Sequence, residues 1–174
     1  IIAVDEKPHF WDEASAQLMR RDRILRKLIP LHGSEALSAS ATPFMTLARA
    51  IIGQQVTIAS AESLWQRFTD KCGRKPTPGS VLKVSGDELR AAGLSKRKTE
   101  YVLDLAVHFA EKKVRPATWA SMDDEAVVAD LCAIRGIGRW TAEMFLIFSL
   151  RRPDVLPLRS EEHTSELQSH SDLV

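Results

Sequence analysis

Apolar side chains recur at three- and four-residue steps along most of this chain, the spacing that lines one face of an α-helix. Trp11, Ala14, Leu18, Leu25, Leu28 and Ile29 predict an amphipathic helix of about 20 residues that ends before Pro30. Thr42 and Pro43 read as a cap and a first helical residue, with Phe44, Leu47, Ile51 and Ile52 as the buried stripe that follows. Gly53-Gln54-Gln55-Val56 breaks that helix, and Thr57 caps another carrying Ala61, Leu64, Trp65 and Phe68. Pro76-Thr77-Pro78-Gly79 reads as an interhelical loop. Ser85 and Glu88 have capping-box spacing ahead of a short helix closed by Gly93. Ser95 caps a longer one from Lys96 to about Lys112, with Tyr101, Val102, Leu105, Ala106 and Phe109 facing inward, and Ser121 opens the next. No segment alternates apolar and polar residues with β-branched enrichment, so the predicted fold class is all-α.

The densest signal lies between Leu131 and Leu158, which reads as a helix, a glycine hairpin, a second helix and a proline-bearing loop. Gly136 and Gly138 bracket Ile137, allowing a tight reversal whose amides point outward at the positive end of the following helix. That is a seat for phosphate. The pattern runs on through Trp140-Thr141-Ala142-Glu143 into Arg152-Pro153-Asp154-Val155-Leu156-Pro157. It resembles the helix-hairpin-helix and following loop of the HhH-GPD DNA glycosylases, most closely the 3-methyladenine DNA glycosylase II (AlkA-type) branch, and the likeness covers most of residues 10–158.

The resemblance implies a helical HhH-GPD fold, incomplete at its C-terminus. It also implies an enzyme that flips alkylated purines such as 3-methyladenine out of double-stranded DNA and hydrolyses the N-glycosidic bond, without lyase activity. Gly136, Ile137, Gly138, Arg139 and Thr141 would hold the DNA backbone. Gln54 and Gln55 would enter the minor groove; which leads is open, and a solvated turn is the bland alternative. Trp140 stands where strand-cleaving branches place a Schiff-base lysine, and its ring suits stacking on a cationic base. Met144, one turn on, would line the same pocket. Space-filling in a core is the competing role for both. The backbone carbonyls of Cys132, Ile134 and Ile137 would hold a monovalent cation, Na+ or K+; the two isoleucine side chains also serve as hydrophobic anchors.

At position 160, where the family places its catalytic aspartate, this chain has Ser160. A serine cannot supply the fixed negative charge that steadies an oxocarbenium-like sugar, so the chain as it stands is expected to be inactive or nearly so. Arg159 to Ser169 resembles the in-frame translation of a short-read sequencing adapter. The expectation is therefore a glycosylase domain over residues 1–158, a fragment of its family's length, followed by a non-native tail over 159–174. Ile1 in place of an initiator methionine suggests a clipped N-terminus as well.

Composition narrows the alternatives. A chain of 174 residues with 44% hydrophobic content is one domain's worth. Cys72 and Cys132, its two cysteines, are too few for a disulfide framework or a four-cysteine iron-sulfur cluster. No run of about 18 apolar residues or signal-like segment indicates membrane or export. The resemblance implies a bacterial cytoplasmic protein associated with the nucleoid through DNA, and flipping a single base asks only for a monomer. The formal charge is +1, but residues 159–174 set Arg159 against Glu161, Glu162, Glu166 and Asp172, which leaves +4 on residues 1–158. That permits nucleic-acid binding without demanding it. Lys96-Arg97-Lys98 opens a helix, where the dipole disfavours cations; phosphate contact and a solvated face are both open. Asp123-Asp124-Glu125 needs only the dipole of its helix to explain it, and Glu143 shows no partner in sequence. The five histidines show no ligand spacing. Two other readings remain: a non-enzymatic helix-hairpin-helix DNA-binding module, and a related glycosylase for oxidised or mismatched bases.

Overall fold

The computed structural model describes residues 7–33, 36–37 and 41–157, and every regular element among them is helical. Ser160 and the boundary expected after Leu158 lie outside the described residues. Helices α1 (Trp11–Arg21) and α2 (Leu25–Leu28) lead into a 3-10 turn at Ile29–His32. Then come α3 (Pro43–Gly53), α4 (Ile58–Cys72), α5 (Pro78–Val81), α6 (Gly86–Ala91) and α7 (Lys96–Ala110). A second 3-10 turn, Trp119–Ser121, precedes α8 (Asp124–Cys132) and α9 (Arg139–Phe148).

Short polar side chains set most of the helix starts. Thr42, Thr57, Thr77, Ser85, Ser95 and Asp123 each accept a hydrogen bond from the backbone N–H three residues on, satisfying a donor that the first turn leaves open. Ser85 and Glu88 form the reciprocal capping box expected of them, and Gly93, at φ +102°, ends that segment.

Three expectations change. The single helix expected from Trp11 to Ile29 is broken, because the Asp22 carboxylate accepts from the amides of Ile24 at 2.6 Å and Leu25 at 2.9 Å and so offers the backbone an alternative to helix. Its apolar stripe is not core: no residue of Trp11–His32 is buried. Pro76–Gly79 is not simply a loop, since Thr77 and Ser80 cap each other and start α5 with Pro78 in its first turn. Ser121 belongs to the 3-10 turn, and α8 is capped two residues later by Asp123, which accepts from Ala126 N–H at 2.8 Å.

The core forms around α7, which packs on α3, α5 and α6; α3 also packs on α4, and α8 pairs with α9. Val102, Leu105 and Ala106 of α7 meet Leu47, Ile51 and Ile52 of α3 in one apolar cluster. Trp119 anchors its other end, fully buried and edge-on to Phe109 and Phe145, with its indole N–H donated to Asp130 at 3.2 Å. Arg152 ties the loop after α9 to this point, donating to the carbonyls of Trp119 at 2.7 Å and Met122 at 2.8 Å.

Emptying the Trp119 site should be costly. We expect Trp119→Ala to lower unfolding free energy by about 3–5 kcal/mol. Ile58→Ala, at a position 91% exposed, should change it by no more than about 0.5 kcal/mol. Urea denaturation of both variants checks this, and equal effects would contradict the assignment of the core.

Candidate functional site

Two helix N-termini and one interhelical loop converge on a cleft of about 490 Å³. The loop supplies Gln54 and Gln55, the start of α7 supplies Ser95, Arg97, Lys98 and Tyr101, and the hairpin with the start of α9 supplies Gly136, Ile137, Gly138, Trp140 and Thr141. Among the described residues, no acidic one lines it.

The hairpin is shaped by its lack of side chains. Gly136 sits at φ +85°, a conformation that costs an L-residue roughly 1–2 kcal/mol. A Cβ there would also collide with Cγ and Cδ2 of the Tyr101 ring. Ile134 and Ile137 on either side are buried and pin the turn to the core. Gly138 is the N-cap of α9 and has no side chain to offer as a cap. The amides of Gly138, Trp140 and Thr141 accordingly find no acceptor among the described residues, at the positive end of a ten-residue helix.

Loop and hairpin are tied together. Gln54 Nε2 donates to the Gly136 carbonyl at 2.8 Å, and Lys98 Nζ donates to the Ile52 carbonyl at 2.8 Å, where α3 gives way to the loop. Burial pulls the pKa of Lys98 below that of an ordinary lysine. Gln55 takes φ +55° and is exposed.

Seven residues expected at a site, Gln54, Gln55, Gly136, Ile137, Gly138, Trp140 and Thr141, are thus brought to one cleft, with Trp140 half-buried in its wall. Met144 and Arg139 are not among its lining residues. Met144 is half-buried one turn beyond Trp140. Arg139 turns to the other side of α9, where Nε donates to Glu143 at 2.9 Å and the two terminal nitrogens grip both oxygens of Glu125. That fork holds the Glu125 carboxyl below the usual carboxylate range and raises the guanidinium pKa further still. Glu125 and Glu143 therefore have a definite partner, where the sequence suggested only a helix dipole for the first and none for the second. Cys132 ends α8 and is exposed, while Ile134 is buried.

Ser95 and Tyr101 are the cleft residues that sequence reasoning missed, and the basic run resolves into parts. Arg97 and Lys98 line the cleft, whereas Lys96 is exposed outside it. A signal was present: Tyr101 lies four residues after Arg97 and three after Lys98, so all three share a helix face.

A glycine-bracketed hairpin, helix amides with no acceptor among the described residues and two cations around a half-buried indole suit an anionic backbone carrying an aromatic base. Comparison with known proteins gives the family. Residues 48–144 match the family model described as "HhH-GPD superfamily base excision DNA repair protein". The chain is 32% identical over 151 residues to DNA-3-methyladenine glycosylase 1 of Schizosaccharomyces pombe, covering 83% of this chain and 66% of that protein. Its fold is similar to a DNA-3-methyladenine glycosidase from Bacillus halodurans, with TM-score 0.69, 35% identity, and coverage of 73% of this chain and 59% of that one. It is also similar to the S. pombe 3-methyladenine DNA glycosylase in complex with abasic DNA, with TM-score 0.73, 28% identity, and coverage of 93% and 82%. The chain spans 66% and 52% of the lengths of two of the curated relatives it matches.

The close approach at the hairpin gives a stability test. Gly136→Ala should destabilise the fold by at least about 1–2 kcal/mol from backbone strain, before the clash is counted. Combined with Tyr101→Ala, the double mutant should recover more than about 0.5 kcal/mol relative to additivity. Strict additivity in denaturant unfolding would mean that the ring and the glycine do not share that space.

Proposed function

Because the chain belongs to the HhH-GPD superfamily of base excision DNA repair proteins, we propose that the whole protein is a monofunctional DNA-3-methyladenine glycosylase of type II. It hydrolyses the N-glycosidic bond of alkylated purines such as 3-methyladenine in double-stranded DNA. The observation that carries this reading is the cleft, where the unengaged amides of Gly138, Trp140 and Thr141 share one space with Arg97, Lys98 and the Trp140 ring.

Each part has a task. Amides at the head of α9 hold a phosphate, and the two cations of α7 add charge that falls off with salt. A base made cationic by alkylation is drawn to the Trp140 face by roughly 0.5–2 kcal/mol. It is already a good leaving group, so a water and a carboxylate opposite the sugar complete the hydrolysis. Tryptophan has no amine, which leaves position 140 unable to form the Schiff base of a lyase. The loop carrying Gln54 and Gln55 is assigned to the minor groove, with Gln54 also bonded to the hairpin.

The same proposal gives the hairpin a monovalent cation, Na+ or K+, on the carbonyls of Cys132, Ile134 and Ile137. Neutral oxygens at the negative end of α8 fit a singly charged hard ion. Among the described residues no group of three His, Cys, Asp or Glu side chains could hold a metal ion. When bound, the ion adds positive charge beside the phosphate seat. We further propose that the protein works as a monomer on chromosomal DNA in the bacterial cytoplasm. No helix among the described residues is long and apolar enough to cross a membrane.

With Ser160 in place of the aspartate, and residues 159–174 read as a non-native tail, this chain should grip DNA without processing it efficiently. We expect it to bind a duplex bearing a tetrahydrofuran abasic analogue in preference to an undamaged duplex. Release of 3-methyladenine from methylated DNA should be on the order of 100- to 1000-fold slower than by the S. pombe glycosylase assayed alongside. Lack of preference for the abasic duplex would overturn the site, and release at parity would overturn the role given to position 160.

A further inference from the structure

The hairpin does not hold its own shape. Two of its peptide groups are fixed at both ends, and half of the fixing comes from outside it. The Ile134–Arg135 peptide has its carbonyl bonded to Ile137 N–H at 3.1 Å and its N–H bonded to Asp104 Oδ2 of α7 at 2.9 Å. The Gly136–Ile137 peptide has its N–H on Ile134 and its carbonyl on Gln54 Nε2. Between the two lies Gly136, flat against Tyr101. Glu100, one turn before Asp104, takes the Arg135 guanidinium at 3.2 Å.

We infer that Asp104 is a positioning residue for DNA binding: its carboxylate sets the plane of the Ile134–Arg135 peptide and thereby aims the amides of Gly138, Trp140 and Thr141 into the cleft. The inference rests on the DNA-binding reading above. The amides of Ala133 and Ile134 bond back to carbonyls of α8, but that of Arg135, three residues past the helix, turns instead to the Asp104 carboxylate, so a side-chain oxygen fixes its direction. The Asp104 side chain is 24% exposed, and His108 Nδ1 lies 2.9 Å from the Asp104 backbone carbonyl and 3.4 Å from its carboxylate, which is thus partly enclosed between the hairpin and the next turn of α7. Losing it frees one peptide, and the turn can rotate about Gly136, whose backbone is the least restricted in the hairpin.

Charge and geometry predict opposite results, which makes the claim testable. Removing a carboxylate near a surface that binds a polyanion, by electrostatics alone, tightens binding. Loss of the peptide clamp loosens it. Affinity of the full chain for the abasic-analogue duplex should be measured by fluorescence anisotropy across a salt series, with thermal melts as a control on folding.

Asp104→Ala should weaken binding about ten-fold, as befits the removal of a hydrogen bond to a charged acceptor. The slope of log affinity against log salt should become shallower by about 1, as expected when the protein neutralises one phosphate fewer. Asp104→Asn keeps an acceptor oxygen without the charge and should bind at least as tightly as the parent chain. If Asp104→Ala does not fold, Asp104→Ser takes its place with the same expectation. Alanine and asparagine variants that both bind as tightly as the parent, or that both weaken alike, would overturn the inference. Should the parent chain itself fail to bind duplex, the proposed function falls, and hydrogen exchange at the Arg135 amide decides the clamp alone. Faster exchange in Asp104→Ala supports it, and unchanged exchange overturns it.

Discussion

Where α8 gives way to α9 the backbone lies so close to the ring of Tyr101 that position 136 has no room for a Cβ. That approach fixes the depth of the turn. From it follow the burial of Ile134 and Ile137, the reach of Gln54 to the Gly136 carbonyl, and the placing of the α9 N-terminus at the cleft rather than over α7. The left-handed conformation at Gly136 is the backbone cost of this geometry, and the hydrophobic anchors on either side offset it.

Charge on α9 is sorted by side. One flank faces the cleft, where Arg97 and Lys98 of α7 stand with no carboxylate among the described residues. The other holds Asp124, Glu125, Glu143 and Asp154 around Arg139. Arg139 stands at the head of a helix, where its own dipole disfavours it, and the two glutamates compensate while joining α8 to α9. A polyanion is therefore drawn to one flank of the helix and repelled from the other. The hairpin lies where the two flanks meet, held there by Gln54 and Asp104.

The all-helical fold and the hairpin were legible because their signals are local. Hydroxyl caps at Thr42, Thr57, Ser85 and Ser95 act within one turn, and the glycine spacing at Gly136 and Gly138 acts within three residues. What could not be read depends on partners distant in sequence. Arg139 faced the DNA in expectation because nothing nearby in sequence announced Glu125 as its partner across the hairpin. Tyr101 satisfied a helical stripe and was assigned to the core, although the ring meets a glycine 35 residues away and a cleft beyond it. The break at Asp22 failed for the opposite reason. Its signal was local, an aspartate able to bond the amides ahead of it, but the apolar periodicity across it carried more weight.

The segment from Trp11 to His32 stands apart from all of this. It buries no side chain, so little packing holds its helical bonds, and opening it releases little apolar surface. Among the described residues it has less to hold it against local opening than the α3, α7 and α9 assembly that frames the cleft. A side-chain change there disturbs no fully buried contact, so it should cost less stability than one among the buried residues of α3, α7 or α9.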